Sequence, residues 1–475
     1  MPAFSQNPTY DSYLRAQTAI DRAVAAYGGA AALRDLKTVR IEAAGETVHR
    51  NQSRKPFTSD RTPYKIDLAI DAEKTSLVQT VEGGYPGGFK YANGIAIVGT
   101  EGRSWDAVRK TRRIVPNPPV SILRQRYRYF PHLLIRDAMR RTPGARYLGA
   151  VRAEGTECEV VTYANEDGAN VSLFIDSKNG RLVKVETLTS DAFAGDVVVE
   201  NVFTGTAGAP AGRLTRVGGE LTEALRYAKY EINQTIADSA YAMPADYGEF
   251  RAAPQSDPVQ KHAEGIYTVV AGGYNVLFVE FSDHIFVMEA PGGDNVSRQA
   301  IAAIKRTIPN KPIKYIAVTH HHDDHAGGIR TYIAEGATVI ALPNEKPFFE
   351  KVVTSRFVLN PDSLSRNPQP LKIEVISDGR RVLSDGTRTI ELHDIGSGPH
   401  TEQMLVAYVP ALKAVFQGDL LNRPTNGDPP IANDTSAHFW NWIESSGLAV
   451  EKIIPVHGTV TTMDEFRKAV AEMKQ

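Results

Sequence analysis

Cysteine is nearly absent from this sequence, with Cys158 the only one in 475 residues. A single thiol excludes an internal disulfide and any metal site built on several cysteines. The strand-like neighbours of Cys158 suit a small buried hydrophobe better than a nucleophile. Charge of one sign is not in excess either: 54 Lys and Arg face 55 Asp and Glu. Such a balance creates no general field for a polyanion, so no nucleic-acid partner is expected. No apolar run approaches the roughly 18 residues that a membrane-spanning helix needs, so no membrane span is predicted. Residues 1–8 lack a basic segment followed by an apolar one, so no secretory signal is visible. The expectation is a cytoplasmic protein, or a periplasmic or secreted one whose signal has been removed.

The chain is longer than one hydrophobic core usually organises, which predicts two or three domains. Near the start, Tyr13, Ala16, Ile20, Val24 and Tyr27 recur at helical spacing and Gly28-Gly29 follows as a stop, predicting a helix over 11–27. Residues 38–99 break into short strand-like segments, and 118–141 return to helical character. Further on, 158–163, 172–176 and 182–187 alternate apolar and polar residues around Asp167-Gly168 and Asn179-Gly180, two hairpin turns. Residues 1–250 therefore read as an α+β, antiparallel-sheet-rich domain.

The helix ending in Tyr27-Gly28-Gly29, the turn from Phe174-Ile175-Asp176 through Asn179-Gly180 into Leu182-Val183-Lys184-Val185, and Ile232-Asn233 followed by Pro244 are similar in pattern to the periplasmic lipoprotein-carrier proteins. That resemblance implies a curved sheet around an apolar ligand cavity. The alternatives are a cap over a second domain, or a dimerisation domain that would make the protein a homo-oligomer. Residues 251–263, rich in Pro, Ala, Gln and Ser at their start, read as a linker.

From 264 to 475 strands alternate with helices, an α/β layered pattern. The sharpest signal follows the apolar strand 313–318: Thr319-His320-His321-His322-Asp323-Asp324-His325-Ala326-Gly327-Gly328. A loop leaving a strand end can turn His320 and His322 to one metal, and Asp324 and His325 to a second. Imidazole and carboxylate are ligand types that zinc accepts in hydrolytic sites. Three adjacent histidines could also be a solvated loop, but later residues argue otherwise. His400 lies in the turn-rich Gly396-Ser397-Gly398-Pro399-His400-Thr401, Asp419 follows strand 414–416, and His457 follows strand 452–454. His321 is placed behind the ligands or on the rim of the site rather than among them, His393 in the core, and His438 in the core unless its helix lines the pocket.

In order and spacing, H-x-H-x-D-H, a histidine before Thr, Gly-Asp, and a histidine before Gly, the residues from about 265 onward resemble the metallo-β-lactamase superfamily. The resemblance implies an αββα sandwich and a two-metal site, with Zn2+ first choice and Fe or Mn possible. His320, His322 and His400 would hold one ion, and Asp324, His325 and His457 the other, with Asp419 bridging. It further implies a metal-bridging hydroxide as nucleophile, oriented by Asp324. Asp419 resembles the glyoxalase II, lactonase and phosphodiesterase branches more than the true β-lactamases. The short segment after His457 leaves no room for the helical substrate domain of glyoxalase II. The expected activity is hydrolysis of an ester, lactone or related carbonyl of a small molecule. The alternatives are a phosphodiesterase, a β-lactam or amide hydrolase, or an apolar-ligand-binding protein with a vestigial metal domain. Residues 354–371 are long for a connection; Arg356, Phe357 and Leu359 are the candidate substrate contacts, unless the loop only packs on the N-terminal domain.

Overall fold

The computed structural model describes residues 7–250 and 258–473. Its N-terminal half is organised by one fourteen-stranded sheet. Six strands, Thr38–His49, Asp60–Asp71, Ser76–Tyr85, Phe89–Val98, Glu101–Asp106 and Thr111–Pro116, each pair antiparallel with the next. A second meander runs from Arg146–Ala153 to Glu220–Ile232, and that last strand pairs antiparallel with Thr38–His49. Helix Pro8–Ala26 starts on an Asn7 cap and helix Pro131–Arg140 lies against it. Their apolar stripes, among them Ala16, Ile20 and Ala23 with Leu134, Ile135 and Ala138, form a core with the inward residues of the sheet. Polar burial also occurs here: Arg213 is fully enclosed, bonded to Glu223 and Asn201, with its guanidinium 3.6 Å from the centre of the Tyr129 ring.

The helical character expected over 118–141 is present in pieces, Ser121–Gln125, the 3-10 turn Arg126–Tyr129 and Pro131–Arg140, with an extended Phe130 before the last. The Pro131 ring disfavours helical backbone at the residue before it, and proline then fits the first helical position. The linker ends sooner than expected, because Val259–Ala263 is already a strand paired with Ile266–Ala271. Its Gln260-Lys261-His262 reads as loop because an edge strand tolerates polar residues that a central one does not. Residues 251–257 of that linker lie outside the described residues.

The C-terminal domain is the expected four-layered sandwich. A seven-stranded sheet and a six-stranded sheet enclose Leu277, Phe286, Ile340, Leu405 and Phe416 between them. Helix Asp294–Thr307 covers the outer face of the first sheet through Ile301 and Ile304. Helices Asp434–Ser446 and Met463–Glu472 cover the second through Phe439, Ile443 and Phe466. The strand Ala414–Gln417 is therefore buried on both faces, and Ile313–Ala317 is buried except at Lys314 and Tyr315. Among the described residues no helix is long and apolar enough to cross a membrane.

Candidate metal centre

Three loops leave the C-terminal ends of buried strands at one edge of the sandwich. Ile313–Ala317 delivers His320, His322, Asp324 and His325, Ala414–Gln417 delivers Asp419, and Lys452–Pro455 delivers His457. His400 arrives from the connection between Thr389–Asp394 and Leu405–Val409. The loops pack closely: a Cβ on Gly418 would lie 2.5 Å from Thr319 Oγ1 and 3.2 Å from His320 Nδ1. Only glycine lets the chain pass there.

The seven side chains fall into two groups of four donors, His320, His322, His400 and Asp419, and Asp324, His325, Asp419 and His457. Asp419 belongs to both. Its Oδ2 is 3.3 Å from His400 Nε2 and 3.3 Å from His325 Nε2, and its Oδ1 is 3.2 Å from His457 Nε2. His400 Nε2 is 3.3 Å from His320 Nε2, His457 Nε2 is 3.3 Å from His325 Nε2, and His457 Nε2 is 3.3 Å from Asp324 Oδ2. A tetrahedral ion with ligands near 2.0–2.1 Å separates them by about 3.3 Å. Each group thus has the donor types and spacing that could hold a divalent metal.

The outward nitrogens are also held. His325 Nδ1 lies 2.8 Å from Glu289 Oε2, and Glu289 Oε1 accepts the Thr319 backbone N–H at 2.7 Å. Glu289 is completely buried and has φ +96°, a strained setting for a non-glycine residue. Sequence reading missed it; the available signal was an acid directly after the apolar strand Ile285–Met288. The Thr319 hydroxyl lies 3.0 Å from His320 Nδ1, and further partners come from the N-terminal domain. The Ser53 carbonyl lies 2.9 Å from Nε2 of His321 and 2.9 Å from Nε2 of His322. Donation there leaves the Nδ1 lone pair of His322 facing the first group, 2.9 Å from His320 Nε2. The Pro86 carbonyl accepts from His400 Nδ1 at 3.0 Å, which directs its Nε2 inward. Gln52 donates to Asp323 and, at 2.8 Å, to Asp324 Oδ1.

Burial, reinforced by neighbouring imidazoles, holds His320 and His322 well below the usual histidine range. They are neutral, the state that ligates a metal. Burial also opposes charge on His325, yet Asp324, Asp419 and Glu289 together raise it well above its ordinary value. Burial likewise works against ionised Asp324 and Asp419, but His325 and His457 outweigh it and keep both carboxyls low. The seven groups thus form a mutually compensating set of charges, with Asp419 at its centre.

His321 is buried on Ser53 and stands in neither donor group, and burial pushes it down to about 4. His393 is half-buried against Glu391 and Trp442, outside both groups. Arg356, Phe357 and Leu359 are not brought to the donors. Arg356 pairs with Gly195, Phe357 lies under Arg330, and the Leu359 N–H donates to Asp196. The donors open instead into a groove of about 1320 Å3 walled partly by the N-terminal sheet.

Residues 271–457 match the family model described as the metallo-beta-lactamase superfamily. The C-terminal domain belongs to that superfamily. Members of the superfamily are metal-dependent hydrolases. Solved structures similar to the metallo-β-lactamase domain include the metallo-beta-lactamase DIM-1, at 19% identity, covering 46% of this chain and 97% of that one, TM-score 0.34. The mono-zinc form of FIM-1 from Pseudomonas aeruginosa is similar at 21% identity with the same coverages and a TM-score of 0.34. The inverting sec-alkylsulfatase Pisa1 from Pseudomonas sp. is similar at 16% identity, covering 46% of this chain and 41% of its own, TM-score 0.34. No curated protein sequence matches the chain.

Proposed function

We propose that the protein is a dinuclear metallohydrolase that cleaves an ester, lactone or related carbonyl substrate. The observation that carries this reading is the pair of four-donor groups sharing Asp419. His320, His322 and His400 would hold one ion, Asp324, His325 and His457 the other, with Asp419 between them and Zn2+ the first choice. When bound, divalent ions there would make water acidic enough to ionise near neutral pH and would polarise the scissile carbonyl.

The chain's own residues supply the rest. Asp324 presents Oδ2 to the donor group while Gln52 holds Oδ1, which places a carboxylate to orient attacking water and take its proton. Tyr85 and Tyr274 both line the groove. Burial, with the carboxylates of Asp324, Asp323 and Asp419 adding, raises both phenols. They stay protonated at neutral pH and can donate to the oxygen on which charge develops. Asp419 and the neutral His320 and His322 fix the geometry.

The test is metal analysis combined with a panel of esters, lactones, β-lactams and phosphodiesters. Close to two transition-metal ions per chain, with carbonyl esters or lactones turned over fastest and activity lost on chelation, is the expected result. Binding of no zinc, iron or manganese would refute the reading, and a preference for phosphodiesters would move it to another reaction.

A further inference from the structure

Beside the metal donors, the groove is walled by the hairpin of strands Ser76–Tyr85 and Phe89–Val98. Side chains alternate between the two faces of a strand, and the register of this hairpin is unbroken. Phe89, Tyr91, Asn93 and Ile95 therefore share one face, with Tyr85 opposite Phe89 and Gly83 opposite Tyr91. Lys90 takes the other face, so the row carries no charge. Ile97, next along it, is buried in the N-terminal core; the row thus runs from that core out to the donors. At the outer end the Phe89 ring stands edge-on to His400 at 5.1 Å, and the rings of Tyr85 and Tyr91 are 5.5 Å apart. A Cβ on Gly83 would collide with the Tyr91 phenol, so glycine there lets the ring lie across the neighbouring strand. The Tyr91 hydroxyl is bonded to Thr47, which leaves the ring itself as floor.

The turn of the same hairpin is seated on the C-terminal domain, where the Thr435 hydroxyl donates to the Gly87 carbonyl at 2.9 Å. Ile431 and Ala432, shortly before Thr435, line the groove too. Ile431 is 62% exposed. A branched apolar side chain left this open, beside an aromatic row and within reach of the donors, is stabilised when an apolar ligand covers it. Arg423, which also lines the groove, is taken up by Glu465 and the Val460 carbonyl. At about 1320 Å3 the groove has room for far more than a small acyl group.

We propose that this part of the groove is an acyl subsite for a medium-length, unbranched apolar chain. The chain runs from a carbonyl at the donors across Phe89 and Tyr91 and is covered by Ile431. The reaction rests on the hydrolase proposal above; the binding of the chain does not. Phe89 to Tyr91 spans roughly 7 Å at about 3.3 Å per residue, and the polar Asn93 ends the apolar floor. Selection is therefore by length, with no gain once the chain has passed Tyr91. The N-terminal domain thereby sets specificity as well as supplying the carbonyls that orient His322 and His400.

Two measurements test it on the full chain. The first follows p-nitrophenyl acetate, butyrate, hexanoate and octanoate. A fully buried methylene is worth about fourfold, and a groove open on one side about twofold. From acetate to hexanoate kcat/KM should therefore rise about 16-fold, mostly through KM, and octanoate should add little. In Ile431→Ser, at an exposed position, and in Phe89→Ala that rise should fall below about fivefold with metal content unchanged. The second needs no turnover: hexanohydroxamate should bind the zinc-loaded protein about 16-fold more tightly than acetohydroxamate by isothermal titration, and both variants should shrink the ratio. Esters hydrolysed at equal kcat/KM across the series would overturn the acyl subsite and leave the hydrolase reading intact. A hydroxamate preference that the variants remove, with no ester hydrolysed, would uphold the subsite and sink the hydrolase. Equal or no binding of the two hydroxamates, or a preference intact in both variants, would overturn the proposal whatever the kinetics.

Discussion

The carbonyl oxygen of Pro86 lies 3.0 Å from Nδ1 of His400, a residue 314 positions further along the chain. This contact joins the turn between two N-terminal strands to a donor of the metallo-β-lactamase domain. Gly87 makes it possible. Its φ is +93°, and a Cβ there would fall 2.9 Å from His400 Cα and 2.8 Å from Thr435 Oγ1. Gly87→Val should push the turn off His400 and free its imidazole. Removing a partner that orients a ligand lowers metal affinity about 10–100-fold. Titration with a competing chelator should show that loss in one of the two ions while far-UV circular dichroism is unchanged. Undiminished affinity would mean that the N-terminal turn does not set the histidine.

Asp419 is the donor common to both groups, so Asp419→Ala should reduce the content of both ions, whereas His400→Ala should reduce one. Turnover should fall by at least about 100-fold in each, and in Asp324→Ala, since each removes a metal ligand rather than a partner behind one. His393→Ala should keep its full metal content. Metal analysis of the four variants checks the assignment. Loss of an ion from the His393 variant and not from the His400 variant would reverse it.

Glu289 holds both His325 and the backbone of Thr319. In Glu289→Gln one of those two contacts must face an amide N–H instead of an oxygen. Metal affinity is expected to drop about 10-fold or more, with no change at the His320 side of the site. Isothermal titration with zinc, read as two binding steps, distinguishes this outcome from a uniform loss of stability.

Glu345 is buried after the strand Thr338–Ala341, and burial, with Asp394 and Glu289 adding, pushes its carboxyl from 4.5 up to about 8. In the unfolded chain it ionises near 4.5, so between about 4.5 and 8 the unfolded state has lost a proton that the native state keeps. The contribution of Glu345 is therefore intact below that window and declines as pH rises through it, by up to about 1.4 kcal/mol per pH unit. Urea unfolding of Glu345→Gln from pH 5 to 8 should show a shallower decline than the parent protein. Parallel curves would show that Glu345 is ionised in the folded state.

The stretch His320 to His325, Asp419 and His457 were legible because each follows closely on a strand, and His400 because it lies in a turn-rich loop; their grouping as one ligand set came from the resemblance. Helix 11–27 and the hairpins at Gly168 and Gly180 were legible for similar reasons, their periodicity and turn residues lying within a few positions. The strands over 195–232 were not, since partly exposed sheet carries weak alternation, and Gln260-Lys261-His262 hid an edge strand. The segment 354–371 shows the limit of length as a signal. Its excess residues follow the turn at Phe193 and Asp196, where the Ser355 hydroxyl and the Val358 and Leu359 N–H groups find their acceptors.

By itself, the sequence marked the layered α/β pattern of the C-terminal half and, through its resemblance to the metallo-β-lactamase superfamily, the αββα sandwich and seven candidate ligands, which the fold brings into two groups of donors. Only the tertiary structure decided what stands behind and in front of those donors. Ser53 and Pro86 act through backbone carbonyls, which every residue possesses, so no residue type marks them. Gln52 and Tyr85 reach the site by the pairing of sheet strands and the docking of one domain on the other. That placement is fixed by contacts spanning hundreds of positions, whereas a sequence pattern reports only neighbours along the chain.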